Sequence, residues 1–268
     1  MTGLPESLCA FAQPDLHLAV ARMIRRRSTH PADVRDFAFE GIDLTRVRRV
    51  LDLGCGFGFV VETIAPRLPA DARWTGIDAC EANRAPFLAR VASAGRQGEF
   101  IAMPVEDRLP WPAASFDLVL CSYSLYFFPQ VLPAVARLLA PDGILVALTH
   151  RLGSLETLFA VCGIDPGRAL LPRLIERFPA ERGRRMLGEH FTQVTKRDYA
   201  NALRFTRADA SDLLLYARFK LPFLIPGASS VQDLPDDIRR AVERFLAGHD
   251  EVMLEKDDAC FHARGPRG

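Results

Sequence analysis

The feature that most constrains the fold is an apolar run that ends at three closely spaced glycines. Residues 50–53 are apolar except for Asp52, and Gly54, Gly56 and Gly58 follow them. Glycine allows the backbone to turn sharply and to approach a ligand closely. Beyond the loop, apolar residues recur at helical spacing, and a helix N-terminus offers free N–H groups to an anion. The pattern predicts a buried strand, a ligand-binding loop and a helix.

The alternation of strand and helix continues along the chain. Apolar runs of strand length predict strands at residues 50–53, 74–77, 100–103, 116–121, 144–148, near 191–197 and at 258–263. Helical stretches between strands are typical of crossover connections, and these join parallel strands. We therefore predict a single α/β domain with a seven-stranded, mostly parallel sheet and helices on both faces.

Two regions lie outside this regular pattern. Residues 1–45 have helical spacing and predict an N-terminal helical cap. Residues 46–268 form the predicted main domain, in which the less regular stretch at about 150–250 predicts a lid-like insert. Within the insert, residues 208–219 predict a helix, and residues 221–235, rich in proline, glycine and serine, predict a loop.

Asp78 is a second element of the ligand site, because it ends the second predicted strand 24 residues after Gly54. A carboxylate there can accept two hydrogen bonds from ribose hydroxyls. Asp52, two residues before the first glycine, can meet the ammonium group of an amino-acid tail. A glycine loop alone would be no more than a tight turn, but together these residues describe a site for a nucleoside with an anionic tail.

At this point the chain resembles class I S-adenosylmethionine-dependent methyltransferases, in particular the type 11-like branch that methylates small molecules. The resemblance covers about residues 45 to 150. It is carried by segments 52–58 (DLGCGFG), 76–78 (GID), 105–111 (VEDRLPW) with 115–117 (SFD), and 138–143 (LLAPDG). It implies the class I methyltransferase fold and S-adenosylmethionine as the cofactor.

The resemblance also implies which residues bind the cofactor. The first segment would hold the methionine part, the second the ribose, and the third would border the adenine. The implied residues are Asp52, Gly54, Cys55, Gly56, Gly58, Asp78, Ala79, Glu106, Asp107 and Ser122. Related enzymes often have Asp where this chain has Val105, so the adenine contact is the one that departs from the family pattern.

Three residues that follow or end the fourth and fifth strands are candidates for catalysis: Tyr123, Tyr126 and His150. In open α/β sheets the ligand lies beyond the carboxyl ends of the strands, so these side chains should lie near the transferred methyl group. Because histidine titrates near neutral pH, His150 could deprotonate the acceptor, or it could be a hydrogen-bonded structural residue. An acceptor that is already nucleophilic would need no base.

Net charge, apolar segments and cysteine spacing indicate which kinds of partner to expect: nucleic acid, membrane or metal. The formal net charge is +1, which does not indicate a surface that coats nucleic acid. No segment approaches the roughly 20 apolar residues of a membrane span. The cysteines are scattered without the spacing of metal ligands or disulfide frameworks, so we expect no metal and a cytoplasmic location.

Three functions therefore remain open. The first is methyl transfer from S-adenosylmethionine to a small organic molecule. The second is a methyltransferase-fold protein that binds a partner without catalysis, although intact glycines and Asp78 argue against a dead site. The third is a nicotinamide-dependent oxidoreductase, which Phe59 disfavours because a dinucleotide loop would have glycine there. The sequence predicts neither the acceptor nor the oligomeric state.

Overall fold

The computed structural model describes residues 11, 13–228 and 233–267 of the chain. The helices are α1 (Pro14–Arg27), α2 (Val34–Phe39), α3 (Val61–Ile64), α4 (Arg84–Ser93), α5 (Leu132–Leu138), α6 (Glu156–Cys162), α7 (Leu170–Ile175), α8 (Gly183–Gly188), α9 (Ala210–Leu224) and α10 (Asp236–Gly248). The strands are β1 (Arg49–Leu53), β2 (Arg73–Asp78), β3 (Gln97–Ala102), β4 (Phe116–Ser122), β5 (Leu139–His150), β6 (Phe191–Tyr199), β7 (Ala202–Thr206), β8 (Glu251–Glu255) and β9 (Asp258–Pro266). None of the described helices is both long and apolar enough to cross a membrane.

The central sheet has seven strands in the order β3-β2-β1-β4-β5-β9-β6. Neighbouring strands from β3 to β5 are parallel, and β9 runs antiparallel to both β5 and β6. The predicted seven-stranded, mostly parallel sheet is therefore confirmed. The strand order reverses between β1 and β4, and ligands of open α/β sheets bind beside such a reversal.

Apolar side chains on both faces explain why β1 lies at the centre of the sheet. Leu51 and Leu53 belong to the apolar cluster on one face, and Val50 belongs to the cluster on the other face. A strand covered on both sides must be apolar almost throughout, which is the pattern expected of a parallel sheet. The same double coverage makes Asp52 a buried acid in an apolar strand.

The predicted insert at about 150–250 needs correction, because β6 (Phe191–Tyr199) lies inside that range and belongs to the central sheet. The segments outside the sheet are therefore two, 151–190 and 200–257. The second segment carries the pair β7–β8, whose strand β8 was not predicted. In β8, buried and exposed residues alternate over only five positions, and its partner β7 is far away in the sequence. The local pattern alone therefore did not predict this strand.

The predicted loop at 221–235 is partly wrong, because α9 continues to Leu224 with Pro222 inside it. Leu221, Phe223 and Leu224 are almost fully buried. Burial of three large apolar side chains stabilises the last turn by several kcal/mol on the usual scale of about 1.5–3 kcal/mol each, which outweighs the disruption by proline. Residues 229–232 of the predicted loop lie outside the described residues.

The N-terminal cap contains two helices, as its spacing predicts, although residues 1–10 and 12 lie outside the described residues. Helix α1 begins at Pro14, which suits the first position of a helix. It is fastened to α9 by Arg27, whose guanidinium lies 2.7 Å from Asp212 and 2.6 Å from Asp209. The cap therefore lies against the segment 200–257 and covers the carboxyl edge of the sheet together with it.

Candidate active site

A cavity of about 1430 Å³ lies at the carboxyl ends of the central strands. The sheet supplies one wall through residues that follow β1, β2, β3, β4 and β5, among them Gly54, Asp78, Met103, Ser122 and His150. The opposite wall comes from α1 and α9, through residues such as His17 and Lys220. The cavity is therefore where the strand order predicts a ligand, with the cap and the second inserted segment closing it.

The glycine loop forms the floor of this cavity. Gly54 has φ +70°, and a Cβ there would lie 2.6 Å from Cβ of Ser124, so only glycine fits. Gly56 has φ +50°, and among the described residues its missing Cβ would come within 4 Å only of His17, at 3.8 Å. The first glycine thus serves packing against the neighbouring strand, whereas the second leaves open space on the cavity side.

Asp78 connects the loop to the end of β2. Its carboxylate accepts hydrogen bonds from the backbone N–H groups of Gly56 (2.8 Å) and Cys80 (2.8 Å) and from the amide of Asn83 (3.3 Å). Burial raises the pKa of Asp78, and these three hydrogen bonds oppose that rise. Because carboxylate oxygens have further lone pairs, the same group can accept from ribose hydroxyls at the cavity surface.

Asp52 lies behind the loop and does not line the cavity. Its Oδ1 atom is buried and has no hydrogen-bond partner among the described residues. Burial, and after it the charge of Asp78, raises the pKa of Asp52 to about 8. A buried carboxyl without a partner is costly, and a nearby cation would relieve that cost. The orphaned carboxyl therefore fits the ammonium of an amino-acid tail bound at the glycine loop.

The structure brings some of the expected cofactor residues to the cavity and leaves others away from it. Five of them line the cavity: Gly54, Gly56, Asp78, Ala79 and Ser122. Cys55 and Gly58 do not line it; the missing Cβ of Gly58 would meet Val61 and Phe87.

The side chains of Glu106 and Asp107, expected to border the adenine, are exposed and outside the cavity. The loop after β3 turns them to solvent, and Ala102, Met103, Pro104 and Val105 line the cavity instead. The apolar Met103 and Val105 are chemically suited to the flat face of a base.

The three predicted catalytic residues lie together in the cavity wall. The ring of His150 stacks on Tyr123 at a centroid distance of 4.9 Å and on Tyr126 at 5.9 Å. Tyr123 has a left-handed backbone with φ +57°, which is uncommon for a residue with a large side chain. This turn at the end of β4 directs the phenol across the sheet toward β5 and β9.

Asp258 is the residue at the centre of this group that sequence reasoning missed. Its Oδ1 accepts a hydrogen bond from Nδ1 of His150 at 2.6 Å. Its Oδ2 accepts from the hydroxyl of Tyr123 at 2.7 Å and from Nζ of Lys256 at 2.6 Å. Burial alone would raise the pKa of Asp258, but Lys256 and His150 lower it to about 2. The carboxylate is therefore ionised at neutral pH.

Burial changes the expected behaviour of His150. Burial lowers the pKa of His150 to about 4, although Asp258 opposes the shift. The expectation of a base that titrates near neutral pH is thus wrong, because the imidazole is held neutral over the physiological range. With Nδ1–H donating to Asp258, Nε2 keeps its lone pair and can accept a proton. Burial also raises the pKa of both Tyr123 and Tyr126, so both phenols stay protonated.

The comparisons with known proteins agree with this geometry. Residues 50–143 match the family model described as a methyltransferase domain. A ubiquinone biosynthesis O-methyltransferase of Bordetella avium is 35% identical over 129 residues, which are 47% of this chain and 52% of that protein. The corresponding protein of Psychrobacter arcticus is 28% identical over 170 residues, which are 56% and 65% of the two chains. The chain thus spans about half the length of most of these relatives.

Solved structures show the fold. The YcgJ protein of Bacillus subtilis superposes with a TM-score of 0.53 at 15% identity, covering 94% of this chain and 100% of that chain. A putative methyltransferase of Bacillus halodurans gives 0.51 at 13% identity, covering 92% and 99%. The cyclase SpnF gives 0.51 at 20% identity, covering 88% and 81%.

The protein therefore has the class I, Rossmann-like methyltransferase fold, the fold of enzymes that use S-adenosylmethionine. Residues 50–143 are the part of the chain that is similar to the methyltransferase domain family. Because a cyclase shares the fold, the reaction has to be argued from the site and not from the architecture.

Proposed function

We propose that this protein transfers the methyl group of S-adenosylmethionine to a small organic molecule bound beside His150. The observation that carries the proposal is the single cavity that joins the two halves of such a site. The glycine loop and Asp78 form its floor, and His150, Tyr123 and Tyr126 line it beside the ends of β4 and β5.

The residues of the floor would hold the cofactor. Gly56 leaves space for its methionine part, Asp78 can accept from its ribose, and the orphaned carboxyl of Asp52 suits its ammonium. When bound, the cofactor supplies an electrophilic methyl group on a sulfonium centre. The aromatic rings of Tyr123, Tyr126 and neighbouring residues suit a nearby cation of this kind.

The residues of the wall would prepare the acceptor. His150, fixed by Asp258, can take a proton from an acceptor hydroxyl through Nε2, and Asp258 would stabilise the imidazolium that forms. Such assistance is worth roughly 10²–10⁴-fold in rate. Alignment of the reacting atoms, which the enclosed cavity provides, can supply about 7–11 kcal/mol. The names of the Bordetella and Psychrobacter relatives favour oxygen as the acceptor atom.

The proposal places the reaction in the cytoplasm, with a small molecule and not a nucleic acid as acceptor. It is supported by a near-neutral net charge and by cysteines without disulfide-like spacing. The cap and the two inserted segments are proposed to act as the lid of the cavity, since α1 and α9 form its outer wall.

Incubation with methyl-labelled S-adenosylmethionine and a metabolite extract of the source organism tests the proposal. We expect label to appear in a small organic product with the wild-type protein and not with Gly56→Val, whose side chain would fill cofactor space. Cofactor binding without label transfer to any fraction would instead favour the non-catalytic alternative. A hydride exchange with a nicotinamide cofactor would favour the oxidoreductase.

A further inference from the structure

Lysine is rare in this chain, and its positions are informative. The sequence has three lysines among 34 basic residues, the rest being arginine. Lys220 and Lys256 line the cavity, whereas Lys196 lies on β6 outside it and pairs with Asp198 at 2.8 Å. A lysine carries a compact point charge whose pKa responds to burial, which arginine cannot offer.

Lys256 already has a partner within the site. Its Nζ donates to Asp258 at 2.6 Å and lies 4.7 Å from the centroid of the Tyr123 ring. Both oxygens of Asp258 are then engaged, one by His150 and the other by Lys256 and Tyr123. Asp258 makes no hydrogen bond or ion pair with Lys220 among the described residues, and its charge is already shared by Lys256, His150 and Tyr123.

Lys220 lacks an acidic partner among the described residues, and its neighbours are aromatic. Its Nζ lies 5.5–5.7 Å from the ring centroids of Tyr216, Phe219 and Phe223 on its own helix α9. The charged and titratable groups that face it from other elements are Lys256, Asp258, His150 and His17. Burial, and after it the charge of Lys256, lowers the pKa of Lys220 to about 7, against an opposing effect of Asp258.

We propose that Lys220 binds an anionic group of the methyl acceptor, so that the substrate is a small organic acid held by its carboxylate. This inference rests on the proposed methyl transfer and names the class of its acceptor. A carboxylate would supply the countercharge that Lys220 lacks. The surrounding aromatic rings would bury the apolar body of the same molecule.

Lys220 also lies within electrostatic reach of the residues proposed to prepare the acceptor. Lys220 stands on the outer wall with Lys256 and His150 within electrostatic reach, whereas the glycine loop lies on the floor. His17, which lines the cavity next to Gly56, is also influenced by the charge of Lys220. An acid anchored on Lys220 would thus place its other end toward His150.

Binding of matched acids and amides to the protein loaded with S-adenosylhomocysteine tests the proposal. The probes are benzoate, 4-hydroxybenzoate and cinnamate, each compared with its neutral primary amide by calorimetric titration. In the wild-type protein we expect at least one acid to bind about tenfold more tightly than its amide, the effect of one charge-assisted hydrogen bond. Lys220→Met should bind both alike, and Lys196→Met, the matched control, should keep the preference.

A second measurement on the wild-type protein needs no variant. An anion beside Lys220 raises the pKa of its amine, so binding at about pH 8 should take up about one proton per carboxylate. Titrations in buffers of different ionisation enthalpy measure this uptake. Binding of the neutral amides should cause no proton uptake.

The contrary outcomes are distinct. No binding by any acid, equal binding of acids and amides, or a preference that survives in Lys220→Met would overturn the inference while leaving the proposed function intact. A tenfold loss of S-adenosylhomocysteine affinity in Lys220→Met would overturn it too, because Lys220 would then hold the cofactor carboxylate. If S-adenosylhomocysteine itself fails to bind, the proposed function is wrong, even where the acid preference persists.

Discussion

At the scale of single residues, the site depends on which proton each group holds. His150 is neutral because it is buried, and Asp258 is ionised because Lys256 and His150 accompany it. The hydrogen bond between them fixes the proton on Nδ1 and leaves Nε2 as an acceptor. A residue with this arrangement can act as a base at neutral pH even though its pKa lies far below neutrality.

We predict that His150→Ala lowers turnover by at least about a hundredfold with unchanged affinity for S-adenosylhomocysteine. Asp258→Asn should also lower turnover, because the tautomer of His150 is no longer fixed. Turnover of His150→Ala within a few-fold of wild type would show that the acceptor needs no base.

The pH dependence of the wild-type protein gives a further prediction. With a pKa of about 4, His150 becomes protonated, and stops acting as a base, only as the pH falls toward 4. Protonation of His150 should therefore cause no loss of turnover between pH 8 and pH 6.

A second prediction at this scale concerns Asp78. Asp78→Ala should weaken cofactor binding by about 1.5–3 kcal/mol, the usual effect of losing hydrogen bonds to a charged group. The lost binding free energy would have two sources. One is the contact with the ribose, and the other is the loop geometry, because the carboxylate of Asp78 also accepts hydrogen bonds from the backbone N–H groups of Gly56 and Cys80. Calorimetric titration with S-adenosylhomocysteine measures it, and Asp71→Ala, an exposed acid outside the cavity, is the control. Equal affinities of Asp78→Ala and wild type would remove Asp78 from the site.

At the scale of elements, the loop between β1 and α3 could be predicted in detail, but the contact between Asp258 and His150 could not. The strand, the glycines and Asp78 lie close together in sequence, and each has a local reason to be there. Asp258 reaches His150 only because β9 pairs antiparallel with β5, which places these two residues opposite each other. That pairing joins residues 108 positions apart, and no local spacing encodes it.

We predict that Gly56→Val stays folded and loses measurable cofactor binding. Gly41→Val is the matched control, because Gly41 also has a positive φ, of +74°, but lies in open space. Both variants bear the strain of a left-handed backbone, about 1–2 kcal/mol. Denaturant unfolding should therefore show similar destabilisation, whereas only Gly56→Val should fail to bind. Normal cofactor affinity in Gly56→Val would mean that the loop does not face the ligand.

The helix α1 allows a prediction about the lid. Its His17 lies in the cavity wall beside Gly56, with a ring centroid 4.6 Å from Phe57 of the loop and 5.2 Å from Phe219 of α9. A ligand on the loop should hold these contacts together, so amide hydrogen exchange over residues 14–27 should slow when S-adenosylhomocysteine binds. Slower exchange at residues 54–58 with no change in α1 would contradict a lid that includes this helix.

At the scale of the whole molecule, the seven-stranded sheet followed from the sequence because its strands are apolar runs separated by helical spacing. The bounds of the two inserted segments could not be predicted from the sequence, because β6 returns to the sheet between them and β8 pairs with a distant strand. The functional consequence is a division of roles. The cofactor floor comes from segments that lie close together in the sequence, whereas the acceptor side depends on long-range pairing and packing, which bring Asp258, Lys220 and Lys256 to the cavity.

Calorimetric titration of the protein with S-adenosylhomocysteine and, separately, with NAD tests whether the cavity is a methyl-donor site. We predict binding of S-adenosylhomocysteine with one site per chain and no detectable binding of NAD. At a ligand concentration about 100 times the dissociation constant, the same interaction should stabilise the fold by roughly 2.7 kcal/mol. Absence of S-adenosylhomocysteine binding at millimolar concentration, or tighter binding of NAD, would show that the cavity is not a site for S-adenosylmethionine.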